Sequence, residues 1–473
     1  MKLRAKMRIV TLAAMALSGI VFGGDTYTAD WASLDSRPTP KWWQEAKFGI
    51  FVHWGPYAVP AFAPTDDKNV YDCYAEWYQG QLIRSNAVVT AHHERFYNGR
   101  PYANFAADFR AENFDPEQWA ALFKKAGAKY AVLTSKHHDG FALWPSPESP
   151  YYNAVAMGPG RDLAGDFTAA MHKAGLKSGF YYSLIEYANP LHPRKMKKKP
   201  IYGPEALDIR EWCRRVNIPQ LKELVENYHA DIIWPDGEWD YTDEEYLSKE
   251  FLAWLFNESS MKDTVVVNDR WGRKLRGHHG GHFTTEYGDI SEGTKAGEVY
   301  YHPWEECRGL GRSFGFNRYE RSENYMTREQ CIKTLVSVVS RGGNLLLNVG
   351  PTADGRIPAI MEDRLLAIGR WLEVNGEAIY GSKRWEDADR SLSKQGIYFT
   401  KKVEGGIETV YAIVFGLNDT IRFKVPRQVS AVTRLGSTSA ENWKFSENRL
   451  SIVRDASTLP PESYAIVYKI VFN

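Results

Sequence analysis

Two short segments with nearly the same spelling, KAGAK at 125–129 and KAGLK at 173–177, constrain what this chain can fold into. Each stands where a helical periodicity stops and an apolar run begins. Ahead of the first, Asp115 is a good N-cap and Pro116 fits the opening turn. Trp119, Leu122, Phe123 and Ala126 then share one helical face. Gly127 closes that helix, and Lys129–Ser135 reads as a buried strand. The second segment repeats the grammar, with a helix over Asp166–Ala174, Gly175 as the stop and a strand over Lys177–Ser183. Successive βα units of this kind require a parallel sheet covered by helices.

Further strands are expected at Lys47–His53, Ala230–Asp236, Thr264–Asp269 and Asn344–Val349, and helices at Ile209–Tyr228, Glu244–Phe256, Arg328–Val339 and Ala359–Val374. The expected fold class is α/β, a (β/α)8-like (TIM-type) barrel over residues 25–380, with a doubly wound sheet as the alternative. Pro56–Arg110 reads as a long loop and obscures the strand count. After Gly381 short β-type runs alternate with turn residues, from Ile397–Thr400 to Tyr464–Phe472, and predict a C-terminal antiparallel β-sandwich over 381–473.

Residues 1–24 read as a signal peptide: Lys2, Arg4, Lys6 and Arg8 precede an apolar stretch, Ile9 to Val21, that is short for a membrane span. The chain is therefore expected to be exported, to the periplasm or the extracellular space, or to a lysosome in a eukaryote, without stable membrane insertion. That segment holds four of the 59 basic side chains and no acidic one, so the remainder carries a net charge of −3. A mildly acidic chain lacks the basic surplus of a nucleic-acid binder. Cys73, Cys213, Cys307 and Cys331 are far apart, form no CxxC and read as buried free thiols. Oligomeric state is not legible.

Polar residues follow the apolar runs almost every time. His53-Trp54, His137-His138-Asp139, Ser183 with Glu186, Asp236-Gly237-Glu238, Asp269-Arg270-Trp271 and Glu286-Tyr287 all stand at strand ends, where a barrel of this type keeps its chemistry. Carboxylates, imidazoles and aromatic plates together suit a carbohydrate, because flat rings stack on sugars and charged groups hold hydroxyls. Seven of the 16 Trp (Trp54, Trp77, Trp144, Trp234, Trp239, Trp271, Trp304) sit in these strand-end motifs or in the segments quoted below, and are expected to form the pocket wall. Asp236 ends a buried run and precedes a glycine. Glu286 and Glu305 are the other carboxylates beside aromatic residues in this half. Two carboxyls about 5 Å apart suit retaining glycoside hydrolysis, and about 6.5–9.5 Å inverting hydrolysis. A metal site at His137-His138 would want a further His pair, yet the first strand offers only His53, so no metal is expected and the pair reads as hydroxyl-binding. The basic run Arg194–Lys199 reads as a solvated loop, with a sulfated or acidic glycan as its alternative occupant.

Nine segments in order carry a resemblance: WWQEAKFGIFVHWG (42–55), AEWY (75–78), LTSKHHDGFALW (133–144), YYS (181–183), WPDGEW (234–239), VNDRWG (267–272), TTEY (284–287), WEECRGLGRSFGFNR (304–318) and GGNLLLNVGP (342–351). The chain resembles the glycoside hydrolase family 29 α-L-fucosidases. That resemblance implies a (β/α)8-like barrel followed by a β-sandwich, and a retaining double displacement that needs no metal or organic cofactor. It implies Asp236 as nucleophile and Glu286 as acid/base, with Glu305 as the competing acid/base. It further implies a binding shell of His53, Glu76, Trp77, His137, His138, Tyr181, Trp234, Arg270 and Phe314, and fucosylated oligosaccharides or glycoconjugates as substrates. Many relatives carry Trp where this chain has Tyr187. The other readings are a neighbouring specificity such as α-L-galactosidase, or a catalytically inactive fucose-binding protein, against which the intact Asp236 and Glu286 argue. Linkage preference is not legible.

Overall fold

A computed structural model describes residues 26–66, 70–187, 189–196, 199–200, 203–288, 302–416, 419–454 and 463–473. The expected signal peptide and part of the Arg194–Lys199 run lie outside the described residues.

Eight parallel strands form one sheet: β1 (Phe48–Val52), β2 (Tyr130–Lys136), β3 (Lys177–Ser183), β4 (Ile232–Asp236), β5 (Val266–Val267), β6 (Phe283–Glu286), β7 (Trp304–Gly309) and β8 (Asn344–Val349). Their order is β5-β4-β3-β2-β1-β8-β7-β6, so each strand lies beside its sequence neighbour and β1 adjoins β8. The remaining edges meet at an isolated parallel bridge, Asn268 with His282, where the His282 N–H donates to Val267 O at 3.1 Å. This is the expected barrel.

The strands are buried on both faces, and the period of two sorts their side chains. Ile50, Val52, Leu133, Phe180, Tyr182, Ile233 and Leu347 face the helix layer and join the main core. Their alternates Phe51, Val132, Tyr181, Ile232, Trp234 and Leu346 form a separate cluster inside the barrel. The covering helices include Pro116–Lys125, capped by Asp115, and Arg328–Ser340, closed by a Thr327–Gln330 capping box.

Several elements depart from expectation for physical reasons. The helix expected from Asp166 begins at Leu163, because the Asp162 side chain accepts from Gly165 N and supplies the cap. The helix expected over Ile209–Tyr228 contains a π turn at Cys213–Asn217. Pro219 has no N–H for an unbroken ladder, and the bulge lets Asn217 accept from Trp212 Nε1 and Tyr182 Oη, both at 3.1 Å. Pro56–Arg110 is not bare loop; it carries short helices, among them Tyr78–Ile83 and Ala87–Tyr97. Strand β7 has no apolar signature, because Glu305, Glu306 and Arg308 find partners within the fold.

The C-terminal part holds β9 (Lys383–Arg384), β10 (Ile397–Glu404), β11 (Ile407–Phe415), β12 (Thr420–Lys424), β13 (Val429–Arg434), β14 (Asn442–Ser446), β15 (Arg449–Val453) and β16 (Ala465–Phe472). They form two antiparallel sheets ordered β9-β10-β11-β16-β13 and β12-β15-β14. Strand β14 escapes a sequence reading because its residues are half-buried at best. Alternate residues of β11 serve different cores: Tyr411, Ile413 and Phe415 pack on the barrel, while Val410, Ala412 and Val414 face the sandwich interior. Trp371 Nε1 donates to Ala465 O at 2.9 Å across this seam, so the sandwich is docked on the barrel. All four cysteines are buried and free. Among the described residues no helix is long and apolar enough to cross a membrane.

Candidate active site

The C-terminal strand ends open onto a cavity of about 230 Å³. Of the residues expected to form the site, His53, Glu76, Trp77, His137, Tyr181, Trp234, Asp236, Arg270, Glu286 and Phe314 line it. Each arrives by the fold's own logic. Tyr181, Trp234 and Asp236 are inward positions of β3 and β4. A register irregularity between Thr134 and Lys136 bends the end of β2, which re-aims the following His137 and His138. The outward Lys136 pins that bend from behind, with Nζ 2.6 Å from Glu186 and donating to Tyr182 Oη and Gln220 Oε1, both at 2.9 Å. Gly237 turns the chain at φ 83°, and a Cβ there would lie 3.0 Å from Ile185. Only glycine takes that turn without strain.

Arg270 organises the charges. Its Nη1 lies 2.6 Å from Asp236 Oδ1, its Nε donates to Thr284 Oγ1 at 3.0 Å, and its Nη2 lies 3.6 Å from Glu286 Oε2. The guanidinium also covers the Trp234 ring, 4.7 Å from its centroid. Tyr181 Oη donates to the other Asp236 oxygen at 2.9 Å. Burial alone would raise the Asp236 pKa; the Arg270 charge and these hydrogen bonds outweigh it and hold the carboxyl below its usual range. Asp236 is therefore ionised at neutral pH.

Glu286 sits in a different environment. It is only partly covered, and Tyr74 Oη donates to its Oε1 at 2.6 Å. Burial pushes Glu76 up to about 8, although Gly315 N–H and Ser313 Oγ both donate to it. Burial pushes His53 down to about 3 and His138 to about 4, and carries His137 well below its usual value. Neutral imidazoles offer one donor and one acceptor each. His138 does not line the cavity; it stands beside it, Nε2 3.6 Å from Asp236, with Nδ1 2.7 Å from Ser183 Oγ.

Glu305 is elsewhere. Strand pairing sets Thr284 level with Glu305, and Glu286 level with Cys307. Glu305 therefore sits one inward layer below the cavity, where Tyr130 Oη and Trp234 Nε1 donate to it and His282 approaches to 3.5 Å. Cys307, not Glu305, lines the cavity.

The expected tryptophan wall needs correcting. Trp77, Trp234 and Trp239 line the cavity, with Trp77 stacked on Trp239 at 5.9 Å. Trp54, Trp144, Trp271 and Trp304 are buried in the core behind it. Tyr187 packs near Trp77 and His138 rather than in the lining. Sequence reasoning missed the lining residues Phe51, Tyr71, Tyr74, Arg276 and Cys307, and named Glu238 as a strand-end carboxylate without giving it a role.

Among the lining residues, His137 Nδ1 and Glu238 Oε2 are buried without a hydrogen-bond partner among the described residues, and Arg270 Nη2 has only its 3.6 Å ion pair with Glu286. Buried polar atoms are nearly always paired. Unpaired polar atoms on one cavity wall suit a ligand rich in hydroxyls. Among the described residues, no cluster of three or more His, Cys, Asp or Glu is arranged to hold a metal ion.

Comparison with known proteins agrees with this geometry. The family described as Alpha-L-fucosidase matches residues 15–377. Tissue alpha-L-fucosidase of Mus musculus is 41% identical over 424 residues, covering 88% of each chain. The Homo sapiens tissue enzyme is 38% identical over 451 residues, 92% of this chain and 89% of that one. The crystal structure of Thermotoga maritima alpha-fucosidase in complex with fucose superposes with a TM-score of 0.76 at 36% identity, covering 94% of this chain and all of that one. With a family match over most of the barrel and curated relatives matched along nearly their full length, this chain belongs to the alpha-L-fucosidase family of glycoside hydrolases.

Proposed function

We propose that this fucosidase removes terminal α-L-fucosyl residues from glycans with retention of configuration, Asp236 acting as nucleophile and Glu286 as acid/base. The observation that carries the reading is Arg270, whose single guanidinium reaches both carboxylates. That arrangement suits the close spacing of about 5 Å used in retaining hydrolysis. In the first step an Asp236 oxygen attacks C1 while Glu286 gives its proton to the glycosidic oxygen, so the C1–O bond breaks and a fucosyl ester forms. In the second, Glu286 takes a proton from water, the water oxygen attacks C1, and the ester bond to Asp236 breaks. Tyr74 holds the Glu286 carboxyl. Glu76, His53 and His137 meet the fucose hydroxyls, and Phe314 and Trp234 pack on the C5 methyl. Export of the chain is part of the same reading and rests on the composition of residues 1–24 alone.

The test is the anomer first released. Proton NMR during rapid turnover is expected to show α-L-fucose before mutarotation; initial appearance of the β anomer would sink the retaining mechanism.

Arg270 gives a second expectation, in pH. Arg270→Met removes the cation that keeps Asp236 ionised, leaving burial to raise its pKa. The acid limb of kcat/KM then moves upward, because protonated Asp236 cannot attack and its carboxyl now loses its charge at higher pH. Arg270→Lys retains a charge and moves it less. An unmoved acid limb in Arg270→Met takes Arg270 out of this role.

A further inference from the structure

Glu238 stands two residues beyond Asp236, across the Gly237 turn, and is 5% exposed. It lines the cavity with one carboxyl oxygen buried and unpaired among the described residues. Burial pushes its pKa up to about 7, with the Arg270 and Arg276 charges opposing and Asp236 assisting. Leaving a buried carboxyl oxygen unsatisfied costs stability, so a retained orphan of this kind points to an absent partner. The two-step chemistry does not use it.

A terminal fucoside has only three free hydroxyls, and the cavity already offers them Glu76, His53 and His137, beside the Arg270 guanidinium that pairs with Asp236 and Glu286. Glu238 is surplus to that set. Its chain neighbour is Trp239, 38% exposed and stacked on Trp77, which places Glu238 at the foot of an aromatic plate reaching solvent. Resting on the reading of this cavity as the fucose site, we infer that Glu238 binds the leaving-group saccharide, its free oxygen taking a hydroxyl of the sugar to which fucose is attached, with Trp239 as the stacking surface beside it.

Such a contact favours a saccharide over a leaving group that has no hydroxyl. The experiment compares kcat/KM for a fucosyl disaccharide and for an aryl fucoside in the wild type, Glu238→Ala and Glu238→Gln. In Glu238→Ala the disaccharide-to-aryl ratio is expected to fall about tenfold or more, chiefly through KM, in line with the loss of one hydrogen bond to a buried polar partner. Glu238→Gln, which keeps an acceptor of the same shape, restores part of the ratio. An unchanged ratio in Glu238→Ala overturns the inference, whether both rates fall together or neither falls. Asp236→Ala run alongside separates the two failures: full activity there on both substrates rejects the cavity as the catalytic site, whatever Glu238 does.

Discussion

Asp236→Ala is expected to lower kcat by about 10⁴-fold or more, the scale seen when an enzyme loses its nucleophile while its binding groups stay in place. The prediction follows from what surrounds the residue. Asp236 is held as a carboxylate by Arg270 and Tyr181, so its charge is present before substrate arrives. Alanine removes the attacking oxygen and also strands the buried Arg270, and breaking such a pair costs about 3–5 kcal/mol. Some loss of thermal stability is therefore expected, and a rate drop alone is ambiguous. Asp236→Asn resolves this by keeping the volume and the acceptor for Tyr181. It should unfold nearer the wild-type temperature and still be inactive. The space left by alanine beside Arg270 also suits a small anion. Azide there attacks C1 of an activated aryl fucoside from the face Asp236 used, giving a fucosyl azide of inverted configuration. Retention of more than about 1% of kcat in both variants would remove Asp236 from the role.

How much of this was legible in the sequence depends on which physical signal carried it. The barrel was, because helical and strand periods alternate and the Gly127 and Gly175 stops repeat. The position of Asp236 in the cavity was, because it closes the apolar run of a strand, where a barrel gathers its polar groups; a strand-end carboxylate by itself has structural uses as well, and the nucleophile role was implied by the resemblance alone. The tryptophans misled, and their parity explains why. Successive strand residues face opposite sides. His53 points into the barrel, so Trp54 points out, against Phe109, Phe114 and Trp119. Arg270 and Trp271 divide in the same way, as do Glu305 and Trp304. Trp234 shares the parity of Asp236 and reaches the cavity. Adjacency to a strand-end motif is thus a weaker signal than matching parity. Tyr74 was beyond reach for another reason. It comes from the Pro56–Arg110 stretch, whose short helices carry no long period, and only the folded chain brings it to Glu286 across 212 residues.

Glu286→Ala is expected to separate substrates by leaving group. Protonation by a positioned acid is worth about 10²–10⁴-fold, so glycans with poor leaving groups should lose that much in kcat/KM. An activated aryl fucoside, whose phenolate departs unaided, should lose far less in the same step. Its second step still needs a base for water, so the fucosyl-enzyme should accumulate. Azide needs no base, and adding it should speed turnover and give a fucosyl azide with the substrate's own configuration, opposite to the product expected from Asp236→Ala. Glu305→Ala makes the contrast. Glu305 lies a layer below the cavity and receives Tyr130 Oη and Trp234 Nε1. Removing it strands two buried donors at a cost of about 1–3 kcal/mol each, and Trp234 is part of the lining. The expected signature is a lower unfolding temperature with rates reduced alike for good and poor leaving groups, and no response to azide. If leaving-group dependence and azide rescue follow Glu305→Ala instead, the acid/base is Glu305, and the one-layer offset between Glu286 and Glu305 cannot be what divides their roles.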